Sequence, residues 1–307
     1  MTDMKTVLII NHRETHCGVQ QFGRRVYDLA SRSTDVRYLY AEIEHPHEFL
    51  TIVPDYKPDF IVYNWHRGTM PWLSENLVQM FPKVKHYFIY HEAVTRTFYD
   101  KYLFFGDYDF SGGAKFGDKK VLLPRPLLDY DGEYPVNSIP VIGSFGFGFW
   151  QKGYHTLTGL VNDTFTDAVL NFHMPYSHFG DPLHEQGNAV ELACRKRNTN
   201  PGIRLNITHT LLSDKGVLDF LAGNDVNVFL YGENGEGISS VIDYALSVKR
   251  PIAISGSRMF RHMTNDAILV DKHSISDIVS AGTTPLQPYY DKWSTKNFVK
   301  ELDKEFI

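Results

Sequence analysis

The sequence predicts an α/β protein of two doubly wound, Rossmann-like domains facing a central cleft. Short β-rich runs alternate with amphipathic stretches, the pattern of parallel strands covered by helices. The alternation occurs twice, on either side of a Pro- and Gly-rich break at 124–140. The length of 307 residues suits two cores of about 150 residues each.

Taken in order, Val7-Leu8-Ile9-Ile10 reads as a first buried strand, followed by a Gly18-containing loop and a helix with Phe22, Val26 and Leu29 on one face. Further strands are expected at 37–41, 60–63, 86–90 and 120–123. The break itself carries Pro124-Arg125-Pro126, Asp129-Tyr130-Asp131-Gly132 and Pro135, turn chemistry typical of a linker. A second series of strands follows at 141–145, 169–172, 205–208, 226–230 and 251–254. The domains are thus placed at 1–137 and 138–285, with 286–307 ending in an amphipathic helix at 296–306 that crosses back to the first domain.

Composition excludes several function classes. A formal charge of −5 gives no global attraction to polyanions, and the one basic cluster, Arg195-Lys196-Arg197, reads as a solvated helix end. Two cysteines, Cys17 and Cys194, make no disulfide framework and have no metal-ligand spacing. His173, His178 and His184 are too irregularly spaced for zinc, so no metal and no cofactor is expected. The first residues lack a signal peptide and no apolar run reaches eighteen residues, so a cytoplasmic protein without a transmembrane segment is expected.

The most informative stretch runs from Tyr231 through Gly232-Glu233-Asn234-Gly235-Glu236-Gly237-Ile238-Ser239-Ser240 to Asp243. A buried strand enters a Gly-rich turn and then a helix with Ile238, Val241, Ile242, Ala245 and Leu246 on its apolar face. Ligands of open parallel sheets bind beyond the carboxyl ends of strands, where free N–H groups and the helix dipole hold phosphate. Gly235 and Gly237 would let the backbone approach a diphosphate, and Ser239 or Ser240 could add a hydroxyl donor. Asp243, four residues after Ser239, would lie on the same face one turn deeper, where a carboxylate accepts two hydroxyl hydrogens. The bland reading makes Ser239 an N-cap and Asp243 a solvated helix residue.

This stretch, continued to Pro251-Ile252-Ala253-Ile254-Ser255, resembles the donor-site signature of retaining GT-B glycosyltransferases. The resemblance extends over most of the chain, including 143–153 and, faintly, the first βα unit. It implies a GT-B fold and a nucleoside diphosphate sugar as donor, with transfer to an acceptor hydroxyl that retains configuration and needs no metal. It implies that one acid of the turn contacts the sugar, Glu236 in preference to Glu233, and that Asp243 holds the ribose; Ile238 falls within the same binding segment. The chain departs from the family pattern because its acids are not eight positions apart. Lys152 of the Lys152-Gly153 pair would reach the donor diphosphate, with Gly146 in the same loop, while Phe147 stands where the family usually has an Arg.

In the first half, family members use the loop after the first strand, here with Gly18, near acceptor or donor phosphates. The resemblance makes His91 the donor-sugar contact with Glu92 in support, and places His66 and Arg67 on the acceptor side. Cys17 beside His16 is expected to be a buried thiol rather than a nucleophile. The expected catalytic set is therefore Lys152, Glu236 and His91. The acceptor is left open among a glycan, a small molecule and a modified DNA base, as is the oligomeric state. Rival readings are a nucleotide-sugar epimerase of the same fold, which would act on donor alone, and a non-catalytic nucleotide-sugar-binding protein.

Overall fold

The computed structural model describes residues 4–91, 98–107, 116–178, 180–232, 237–263 and 265–307. Its contacts divide the chain into one unit of Met1–Pro126 with Lys292–Ile307 and a second of Leu127–Asp291. Residues 127–137 and 286–291 thus group with the second unit, whereas the sequence reading placed them with the first domain and the terminal segment.

The first unit holds the strands β1 (Lys5–Asn11), β2 (Val36–Glu42), β3 (Phe60–Tyr63), β4 (Lys85–Ile89), β5 (Lys101–Phe105) and β6 (Lys120–Leu123), all parallel, in the order β2-β1-β3-β4-β5-β6. Its helices are α1 (Gly18–Ala30), α2 (Pro46–Tyr56) and α3 (Glu75–Gln79). The inner strands are largely apolar because helices cover a parallel sheet on both faces, while the edge strand β2 leaves Arg37 exposed. β1 buries Val7, Leu8, Ile9 and Ile10, and α1 turns Phe22, Val26 and Leu29 onto the core. The sequence reading missed β5, whose Lys-Tyr-Leu-Phe-Phe is a short run beside no helical period.

The second unit holds β7 (Val141–Phe145), β8 (Ala168–His173), β9 (Ile203–Thr208), β10 (Val226–Phe229) and β11 (Ile252–Ile254), again parallel, in the order β11-β10-β7-β8-β9. Its helices are α4 (Tyr154–Thr164), α5 (Glu185–Arg197), α6 (Asp214–Ala222), α7 (Val241–Ser247) and α8 (Ile275–Ala281). The chain leaves this unit along α9 (Gln287–Trp293).

The last helix, α10 (Thr295–Asp303), belongs to the first unit, where Phe298 stacks on Phe105 with ring centroids 6.0 Å apart. Its end is fastened by a buried carboxylate: Asp303 accepts from Ser33 Oγ at 2.7 Å and from Tyr38 OH at 2.8 Å. Asp303→Asn is expected to lower the stability of the first unit by about 1.5–3 kcal/mol, because it weakens hydrogen bonds to a charged group. Urea unfolding checks this, and an unshifted midpoint would show that α10 is held by its apolar face alone. No helix among the described residues is long and apolar enough to cross a membrane.

Candidate functional site

Each sheet has one place where its strand order reverses, and there successive crossovers leave on opposite faces and open a crevice at the carboxyl ends of the strands. In the second unit that place lies between β7 and β10. These strands pair only through Val226 with Ile142 and Asn227 with Gly143, so they part toward their carboxyl ends.

The loop after β7 is held by backbone contacts. Gly146 N donates to His173 O at 3.1 Å, and the Gly146 carbonyl accepts from the buried Tyr154 OH at 2.5 Å. A single 3-10 turn, Trp150–Lys152, leads to Gly153 at φ 70. A Cβ at Gly153 would lie 1.9 Å from Leu230 O, so only glycine brings this turn against the end of β10. Gly232 N then donates to Gln151 O at 2.9 Å. The result fixes Lys152 Nζ 3.9 Å from the centroid of the Tyr231 ring, a cation–π contact.

Tyr231 is the centre of this arrangement and the residue that sequence reasoning missed. It is 4% exposed, its hydroxyl lies 3.3 Å from Ser239 Oγ, and Phe260 packs on its ring at 4.7 Å. A Cβ on Gly146 would stand 3.5 Å from that hydroxyl, so Gly146, Lys152 and Ser239 all border one ring. Arg261, also missed, reaches in from the segment after β11 and donates to Gly237 O at 3.2 Å. No spacing rule signals either residue, because both act through contacts between separate loops.

Beyond Tyr231 the structure corrects two expectations. α7 begins at Val241 with Ser240 as its N-cap, so Ile238 and Ser239 precede the helix instead of opening it. The backbone there is diverted: Ser239 N donates to Met259 O at 3.1 Å. Ser239 and Asp243 therefore do not share a helical face, and neither is Ser239 the N-cap. Asp243 has no exposed surface, which also removes the solvated-residue reading. Glu233 and Glu236, the two candidate sugar-contacting acids, lie outside the described residues, as do Gly235 and Glu92.

In the first unit the order reverses between β1 and β3. Here the strand ends carry Asn11, Asn64 and His91, with His91 Nε2 2.6 Å from Asn64 Oδ1. Phe22 of α1 meets the His91 ring edge-on at 5.4 Å, and Arg125 lies over the same phenylalanine at 5.0 Å. Removal from water, with His66, Arg125 and His12 nearby, pushes the His91 imidazole down to about 3, so it is neutral at pH 7. Gly18 starts α1 with open space around its Cα, and His66 sits in a turn with its Nδ1 accepting from Gly68 N at 3.1 Å. Arg67 follows it as an exposed residue. Cys17 is buried, which raises its thiol above the usual range and makes it a poor nucleophile. Among the described residues no three His, Cys, Asp or Glu side chains are grouped to hold a metal.

No family model matches the chain, and no curated protein matches its sequence. Solved structures do match over its whole length. HepE from Anabaena, solved in complex with UDP and glucose, is 8% identical, with 98% of this chain and 99% of that one covered at a TM-score of 0.68. A glycosyltransferase from Rickettsia africae is 11% identical, with 99% and 98% covered at 0.67. A UDP-forming α,α-trehalose-phosphate synthase from Burkholderia vietnamiensis is 10% identical, with 99% and 98% covered at 0.63. The chain therefore has the GT-B fold of two Rossmann-like units.

Proposed function

We propose that this protein is a glycosyltransferase that moves a sugar from a nucleoside diphosphate sugar to an acceptor hydroxyl, with retention and without a metal. The observation that carries this reading is the strand-order reversal between β7 and β10, where Lys152 lies over Tyr231 beside Gly146 and Ser239. A diphosphate can use what this place supplies: the Lys152 cation and the Ser239 hydroxyl. HepE was solved with UDP and glucose, so UDP and UDP-glucose are the first ligands to try.

In this reading Lys152 neutralises the charge that grows on the departing diphosphate. Glu236, or Glu233, contacts the sugar, and the neutral His91 offers it a hydrogen-bond acceptor with Glu92 in support. Gly18, His66 and Arg67 border the acceptor, while Ile238, Ser240 and Asp243 complete the nucleotide's surroundings. Since Asp243 is fully covered, its neighbours must give way before a ribose reaches it. Asp243→Asn is expected to weaken UDP binding by about 1.5–3 kcal/mol, on the order of 10- to 100-fold. Calorimetry that finds the affinity unchanged would remove the ribose contact.

The reading as a whole is tested by thermal shift with nucleoside diphosphates, since a ligand bound to the folded state raises the midpoint by mass action. Product analysis of UDP-sugars with and without sugar acceptors follows. Acceptor-dependent release of UDP is expected. Conversion of the donor sugar without acceptor would indicate an epimerase, and binding with no turnover across the panel a non-catalytic binding protein.

A further inference from the structure

Asn11 and Asn64 close β1 and β3, and both are fully buried. Their amides can face only one way. Asn11 Oδ1 accepts from His12 N at 3.0 Å and from Asn64 Nδ2 at 2.8 Å, while Asn11 Nδ2 donates to Gln20 O at 2.9 Å. Asn64 Nδ2 also donates to Val19 O at 2.7 Å, which turns Asn64 Oδ1 toward His91 Nε2 at 2.6 Å. A carbonyl oxygen only accepts, so the hydrogen of this contact sits on Nε2.

We infer that Asn64, locked by Asn11, is a positioning residue that holds His91 as its Nε2–H tautomer, so that Nδ1 presents a lone pair to a hydrogen-donating group of the ligand, a sugar hydroxyl. This rests on the transferase reading and narrows it. A carboxylate or phosphate oxygen, which brings only lone pairs, is repelled at that point, so the group read by His91 is a neutral hydroxyl.

Two further observations converge on the pair. A Cβ at Gly23 would lie 2.2 Å from Asn64 Nδ2 and 2.8 Å from Asn11 Nδ2, so glycine in the middle of α1 is what lets the helix close over both amides. Among the described residues, the groups that act on the His91 ring are basic: His12 after β1, His66 after β3 and Arg125 after β6. They oppose an imidazolium, through which the two tautomers would otherwise exchange.

The test is long-range 1H–15N correlation of histidine-labelled protein without ligand, with His91 assigned by its absence in His91→Gln. The expected result is a protonated Nε2 and an unprotonated Nδ1 that stay so from about pH 8 to pH 5. In Asn64→Asp a carboxylate takes over the contact and favours the imidazolium, so His91 should titrate within that range and turnover should fall on its acid side, where the parent is flat. A hydrogen on Nδ1 in the parent, or titration near the ordinary histidine value, would overturn the assignment even if the Asn64 variant fails to fold. The spectrum needs no nucleotide, so the two readings fail separately. The expected tautomer without turnover on any donor removes the transferase alone, and turnover with the wrong tautomer removes the role of Asn64 alone.

Discussion

Lys152→Ala is expected to lower turnover by about 100- to 1,000-fold while leaving affinity for free UDP within a few-fold. The ammonium is already placed in the resting protein, 3.9 Å over the Tyr231 ring, by a turn that Gly153 clamps to Leu230. A charge fixed in advance costs no reorganisation when negative charge grows on the leaving diphosphate, so its effect concentrates in the transition state. Steady-state kinetics with saturating donor, paired with UDP calorimetry, measures the two separately. Equal activity in variant and parent would take Lys152 out of the mechanism. Weaker binding with unchanged turnover at saturation would make it a uniform donor contact instead.

Acidification is expected to destabilise both units well before carboxylates titrate. His173 is 1% exposed and its imidazole is pushed down to about 4, by burial first and by His209 second. His91 is pushed down to about 3, and burial lowers His12 and His86 as well. Each of these rings is neutral in the folded chain but takes up a proton near pH 6.5 once unfolded. The unfolded state therefore binds more protons in that window, and stability rises with pH there. It is fully present above about pH 6.5 and lost as pH falls toward 4 for His173 and 3 for His91. For His173 alone, a fall from 6.5 to about 4 corresponds to roughly 3 kcal/mol. Urea midpoints from about pH 7.5 to pH 4 check this, and His173→Gln should flatten part of the slope. A constant midpoint down to about pH 4.5 would mean that these rings are charged in the folded protein.

Most strands of the two units were legible as apolar runs because a strand inside a covered parallel sheet is buried on both faces, while the edge strands β2 and β9 keep exposed polar positions such as Arg37 and Arg204. Phe60–Tyr63 and Val141–Phe145 are read with their own limits, and the Gly-rich passage after β10 is correctly placed beyond a strand end. β5 escaped because its five residues carry no period of their own. The start of α7 was misjudged for a different reason. The apolar spacing of Ile238 continues the helical pattern, but the hydrogen bond from Ser239 N to Met259 O, twenty residues on, holds the backbone off the helix.

What the sequence determined by itself is the α/β class, the two series of parallel strands and the passages that lie at their carboxyl ends, since these follow from local apolar pattern and turn chemistry. Which side chains meet at those ends was decided only by the tertiary structure. Lys152 reaches Tyr231 across seventy-nine positions, and Asn11, Gly23, Asn64 and His91 come from four separate segments. Their meeting depends on strand order, which is set by how whole helices pack on the sheet, and no stretch of chain short enough to show a period contains that information.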